Sequence, residues 1–175
     1  MEESLRGQLL IAAPSLFDYF RRSVILVLEH NEEGAMGVVL NRPSETTVGD
    51  AVSALAGLAD HDQLVHLGGP VSPESVVALG EFEDLDDAAS AVSGSLGLVD
   101  PEGADPSLRR LRVYAGYAGW GPGQLEGELE DGAWIVALLD PEDPFSDGDL
   151  WADALARKGG EYSLLATMPA DPSLN

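Results

Sequence analysis

Apolar residues along this chain fall in short blocks rather than in long helical periods. Gln8–Ala13 and Ser23–His30 are rich in Leu, Val and Ile and are bounded by Pro14 and by Asn31–Gly34, a pattern that predicts two buried strands. Gly34–Leu40 predicts a third, and the Asn-Glu-Glu-Gly link before it has hairpin length, so the chain is expected to start antiparallel within one sheet. Val48, Val52, Leu55 and Ala59 recur at helical spacing behind Thr47, a good cap, and predict a helix ending near Asp60. Leu64–Leu67 reads as a short strand. Gly68, Gly69 and Pro70 turn the chain, and Ser75–Phe82 resumes a strand pattern.

From Glu83 to Ser107 small and acidic residues dominate. Only Leu96–Val99 predicts a strand there, and the rest reads as surface loop. Leu111–Tyr117 predicts a strand running into Gly119, Trp120, Gly121, Pro122 and Gly123. Gln124–Asp131 then reads as a helix with Gly121 as cap, Pro122 first and Gln124 third. Ala133–Leu139 predicts a buried strand, Gly148–Lys158 a helix closed by Gly159 and Gly160, and Tyr162–Thr167 a final strand or extended tail. There is no internal repeat, and a chain of 175 residues fits one domain over 1–175. Such a domain buries roughly 70% of its unfolded surface.

Composition removes several chemistries. With no Cys, thiol nucleophiles, disulfides and thiolate metal sites are excluded. Glu2 and Glu3 stand where a signal peptide needs positive charge, and the longest apolar run, Ala133–Leu139, is followed at once by Asp140 and Pro141. A membrane span needs about 20 apolar residues. The expectation is a cytoplasmic protein without membrane attachment. Nine Lys plus Arg against 31 Asp plus Glu give a net charge of −22. No Lys or Arg lies between Arg42 and Arg109, and the only local basic clusters are Arg21 with Arg22, Arg109–Arg112, and Arg157 with Lys158. Such a surface repels phosphate backbones, so direct nucleic-acid binding is not expected.

Motif searches predict no cofactor and no metal. The single lysine, Lys158, precedes Gly159 rather than closing a phosphate loop. The glycines from Gly116 to Gly127 lack dinucleotide spacing, and Glu126, Glu128 and Glu130 disfavour a phosphate at that helix start. No serine sits in a hydrolase elbow. His30, His61 and His66 lack zinc spacing and read as isolated surface or turn residues. Asp143–Ala154 resembles a calcium loop only superficially, because Ala154 stands where the bidentate ligand belongs.

Four segments together resemble the AlgH/YqgE family of bacterial proteins. They are Gly7–Ala12 with Arg22–Val24, Glu29–Asn31 through Gly34–Pro43, Gly68–Val71, and Gly116–Trp120 followed by Gly123–Glu126. Trp151 and the Gly159-Gly160 turn extend the match. The resemblance implies an α+β single domain with a mostly antiparallel, bifurcated and partly barrel-like sheet flanked by helices. It supplies no activity; some members carry a transcription-regulator label, which suits this acidic chain poorly as direct DNA binding. The same segments provide the candidate binding residues Glu29, His30, Asn41, Arg42, Gly68, Gly69, Trp120, Gln124 and Glu126, with no catalytic residue assignable. Glycines that line a pocket and glycines that solve awkward crossings in a branched sheet are both open readings, the structural one ahead.

The functional expectation is a non-enzymatic module that binds a small molecule or a protein partner in a regulatory role. The alternative is an enzyme using a pocket around Asn41, Arg42, Trp120 and Glu126, which requires those residues to converge. Direct DNA binding comes last. Arg42, isolated in an acidic chain, is expected to pair with Glu29 or Glu126.

Overall fold

Three strands at the start of the chain establish the first half of the sheet: β1 (Leu9–Ala12), β2 (Val24–Asn31) and β3 (Gly34–Val39), antiparallel in sequence order. They belong to a computed structural model that describes residues 4–16, 20–100 and 108–167. The runs are continuously apolar because both faces are covered. Leu9, Ile11, Leu26 and Val38 pack with Trp151 and Leu155 on one side. Leu10, Ala12, Ile25 and Val39 pack with Trp120, Leu125 and Trp134 on the other.

Next come β4 (Pro43–Thr47) and α1 (Val48–Ala51), where Thr47 caps the turn by accepting from Asp50 N. The helix expected to reach Asp60 breaks after this turn and continues as a 3-10 segment, Ser53–Leu55. Gly49, Ser53, Gly57 and two β-branched valines give it weak propensity. Only Val48 and Leu55 are buried there, too few to hold a longer helix. β5 (Leu64–Leu67) and β6 (Val71–Phe82) follow as predicted, β6 beginning earlier than the pattern suggested.

Beyond them lie β7 (Ser90–Ser93), β8 (Leu96–Leu98) and β9 (Leu108–Trp120). β7 corrects the loop expected before Leu96. It pairs antiparallel with β8, and its one buried side chain, Val92, joins the core; a strand of four residues with a single inward apolar position leaves almost no pattern. Residues 101–107 of that expected loop lie outside the described residues.

The thirteen-residue β9 is where the sheet branches. One edge runs antiparallel to β6 from Leu108 to Tyr117. The other edge pairs parallel with β5 at Tyr114 and Ala115, then antiparallel with β3 from Ala118 to Trp120. Two glycines make the branch possible. Gly116 has φ 74°, and a Cβ at Gly69 would drive into the backbone of Tyr117 and Ala118.

The chain closes with α2 (Gln124–Glu130), β10 (Trp134–Ala137), α3 (Leu150–Lys158) and α4 (Glu161–Leu165). The open sheet runs β10-β1-β2-β3-β9-β6-β8-β7, with β5 carrying β4 off the branch. The fold is therefore the expected α+β single domain with a bifurcated, mostly antiparallel sheet. Asp149 caps α3 through Ala152 N, and buried Trp151 donates its indole N–H to Ala12 O at 2.8 Å. Each buried side chain of that size contributes roughly 1.5–3 kcal/mol. α4 corrects the expected final strand: after Gly159 and Gly160, both at positive φ, Tyr162, Leu165 and Ala166 fall at helical spacing and pack on the core beside α3. No helix among the described residues is long and apolar enough to cross a membrane.

Candidate functional site

The nine candidate residues do not form one site. β3 begins beside Trp120, through the Ala35–Trp120 pairing, and runs towards Asn41. At about 3.3 Å per residue the two ends stand on the order of 20 Å apart. Trp120, Gln124, Glu126, His30 and Glu29 belong to the first end, and Asn41 and Arg42 to the second. The convergence required by the alternative reading is absent.

At the first end, internal hydrogen bonds account for the motif. Glu128 Oε1 accepts the indole N–H of Trp120 at 3.0 Å and of Trp134 at 2.9 Å, while Glu128 Oε2 accepts from the Gln124 amide at 3.0 Å. Gln124 Oε1 also accepts from Gly121 N at 3.0 Å, so the expected cap contact forms, although the helix proper begins after Gly123 at φ 74°. His30 Nδ1 accepts the N–H of Leu5 at 2.9 Å, which places the ring proton on Nε2, 3.4 Å from Glu126 Oε2. His30 thus ties the start of the chain to α2. Glu29 is largely exposed and lies 3.6 Å from Arg6.

Gly68 and Gly69 sit at the branch, where a Cβ on Gly68 would collide with Gly116 O. Asn41 stitches β2 to the end of β3 by donating to Arg22 O at 2.9 Å and accepting from Val24 N at 3.1 Å. Arg42 donates to Arg21 O at 3.0 Å. The expected Arg42 pairing with Glu29 or Glu126 does not form, since both carboxylates lie at the far end of the β2–β3 hairpin and face Arg6 and His30.

The second end opens into a cleft of about 570 Å³, and Asn41 is the one candidate residue that lines it. Its floor comes from β9 and β5. Arg110 and Arg112 alternate along β9 and so share a face, and His66 lies opposite Tyr114 in register. Leu58, Asp60, Asp62 and Gln63, with Phe145, Ser146, Asp147 and Gly148, complete the lining. Arg110 is held by two carboxylates, Glu81 at 3.0 Å and Glu142 at 2.6 Å, and stacks 4.2 Å over the Phe145 ring. Hydrogen bonding to Glu142 first, and to Glu81 next, raises its already high pKa, and the same contact lowers that of Glu142.

Arg112 is buried. Its Nε donates to Pro144 O at 2.9 Å, Nη1 faces His66 Nε2 at 3.4 Å, and Nη2 stands 3.7 Å from Asp147. Guanidinium only donates, so His66 Nε2 accepts and its proton lies on Nδ1, which has no hydrogen-bond partner among the described residues. Burial first and Arg112 second lower the His66 pKa to about 4, against weaker opposition from the Leu64 backbone and Asp147. Burial raises the Tyr114 phenol above its ordinary value, and its hydroxyl is likewise unpartnered.

His66 is therefore a core residue of a strand, correcting its reading as a surface or turn histidine. No sequence pattern marks His66 or Arg112 as lining a cleft, or Glu128 as the acceptor that anchors two indoles. The sequence does put Arg110 and Arg112 on one face, since they stand two apart in a strand. Asp143, part of the rejected calcium pattern, is buried and binds Arg157 through both oxygens at 2.9 and 2.8 Å. No three metal-ligating side chains gather among the described residues.

Comparison with known proteins places this geometry in a family. The AlgH-like (DUF179) family model matches residues 9–163. A UPF0301 protein of Streptomyces coelicolor is 47% identical, over 98% of this chain and 96% of that protein. A UPF0301 protein of Mycobacterium leprae is 42% identical, over 97% and 90%. Among solved structures, a crystal structure of a Corynebacterium diphtheriae protein aligns with TM-score 0.85 and 34% identity, covering 96% of this chain and 94% of that one. The solution structure of the AlgH protein from Pseudomonas aeruginosa aligns with TM-score 0.71 and 30% identity, covering 97% and 98%. With most of its length matched in sequence and its branched sheet matched in space, the chain belongs to the AlgH-like family.

Proposed function

We propose that this chain is a non-enzymatic, ligand-binding regulatory module and that it takes its small molecule in the cleft floored by Arg112 and His66. The observation that carries this is a cleft of about 570 Å³ whose floor holds a buried arginine and a buried neutral histidine. Ligand sites typically span roughly 300–1,000 Å³ and are oriented by a few such polar groups. Proton transfer is poorly served here. At neutral pH, His66 titrates too low to exchange protons near its own pKa. The Trp120 end competes weakly, because its donors and acceptors are already bonded to one another.

A protein partner remains the second occupant compatible with a regulatory role. The net charge of −22 argues against nucleic acid. A thermal-shift screen against metabolites tests the proposal, with Asp62→Trp as the blocking variant, since Asp62 is exposed on the rim of the cleft. Compounds that stabilise the wild type are expected to lose their effect in Asp62→Trp. Compounds that still stabilise Asp62→Trp, and fail instead with Gln124→Ala, would move the site to the other end of the hairpin.

A further inference from the structure

The three arginines of the run at Arg109–Arg112 are treated unequally by a chain that has 31 carboxylates available. Arg110 is gripped by Glu81 and Glu142. Arg112 is far more buried, with 11% of its side chain exposed, yet its one carboxylate neighbour among the described residues is Asp147 at 3.7 Å, itself 92% exposed. Arg109 lies exposed on the cleft and forms no ion pair among the described residues. A buried cation is strongly destabilising unless a close anion compensates it. Here compensation is loose and comes from solvent-exposed Asp147, while Arg112 itself lines a cavity large enough for a ligand.

Charge at the mouth narrows what fits. Asp60, Asp62 and Asp147 line the cleft together with the arginines, so a multiply charged head group meets carboxylates as well as guanidinium groups. A singly charged carboxylate can accept from the Nη hydrogens of Arg112 that His66 and Asp147 leave over, and it incurs less repulsion from that rim than a multiply charged group. Ser146 on the lining offers a further polar contact to the rest of the molecule.

We propose that the cleft binds a small molecule through a single carboxylate seated on Arg112, with Arg109 steering it at the mouth. This rests on the cleft being the ligand site of the module. The test is a side-chain NMR titration of the full chain at pH 7, following the Arg112 Nε–H and His66 ring signals against butyrate, its neutral amide butanamide, and inorganic phosphate. Butyrate is expected to move both signals saturably and to bind at least tenfold more tightly than butanamide. Arg112→Gln should abolish that preference. Arg109→Gln, a surface change that leaves the core untouched, should weaken butyrate severalfold and decides the matter if Arg112→Gln fails to fold.

Equal binding of butyrate and butanamide would overturn the carboxylate and leave the ligand-module reading standing. Phosphate binding tenfold more tightly than butyrate would overturn it in favour of a dianion. If no solute moves any cleft signal, both the carboxylate and the ligand site fall.

Discussion

Replacing Glu128 with Ala removes at one stroke the acceptor of two indole N–H groups and of the Gln124 amide. Trp120 and Trp134 are 7% and 5% exposed, so water reaches their nitrogens poorly once the carboxylate is gone. The Gln124 amide is exposed and finds water easily. A hydrogen bond to a charged group contributes roughly 1.5–3 kcal/mol. Two such bonds at the low end give about 3 kcal/mol for Glu128→Ala, and helix propensity offsets little of it. For a domain of this size that corresponds to a Tm fall of roughly 9 °C. Urea denaturation should show a lower midpoint with an unchanged slope. Glu128→Gln keeps one oxygen for both indoles and should lose only about 1 kcal/mol, while exposed Glu130→Ala should stay within about 0.5 kcal/mol of wild type. A loss below about 1 kcal/mol in Glu128→Ala would refute the clamp and return Trp120 and Gln124 to the set of ligand contacts.

Other outcomes follow from the same geometry. His66 has a folded pKa of about 4 against 6.5 unfolded, so the unfolded chain takes up a proton that the folded chain refuses. His66 therefore lowers stability as pH falls from about 6.5 to about 4, by up to roughly 3 kcal/mol, and His66→Gln should flatten that part of a denaturation-versus-pH curve. An unchanged curve would contradict the burial of the ring. Gly69→Ala forces a Cβ into the backbone of Tyr117 and should lower stability by at least about 3 kcal/mol in chemical denaturation, since rigid backbone cannot yield as a side chain does. Fluorescence anisotropy should detect no duplex DNA binding at about 150 mM salt, and saturable micromolar binding would overturn the electrostatic argument.

The first half of the sheet was legible because its strands are buried on both faces and bounded by turn residues, as at Gln8–Ala13 and Ser23–His30. The helix at Leu150–Lys158 was legible for a similar reason: Asp149 begins it and Gly159 ends it. Elements held by tertiary contacts were not. β4 carries mainly Ser, Glu and Thr and exists through its pairing with β5. α4 is too short for its helical spacing to stand out from an extended tail. The shared motif residues do not gather in space, because they serve separate structural junctions. Gly69, Trp120 and Gln124 solve the branch and anchor α2, whereas the cleft is lined by Asp60, Asp62, His66, Arg112 and Asp147, which come from separate stretches of sequence.

The most direct test is equilibrium dialysis of the full chain against a bacterial small-molecule extract, with mass spectrometry of what the protein retains. If the cleft is the binding site, wild type and Glu126→Gln retain the same compound, and Arg112→Gln and Asp62→Trp both lose it. Retention by Arg112→Gln and Asp62→Trp at the wild-type level, with loss in Glu126→Gln, would contradict the assignment and place function at the Trp120 end of the hairpin.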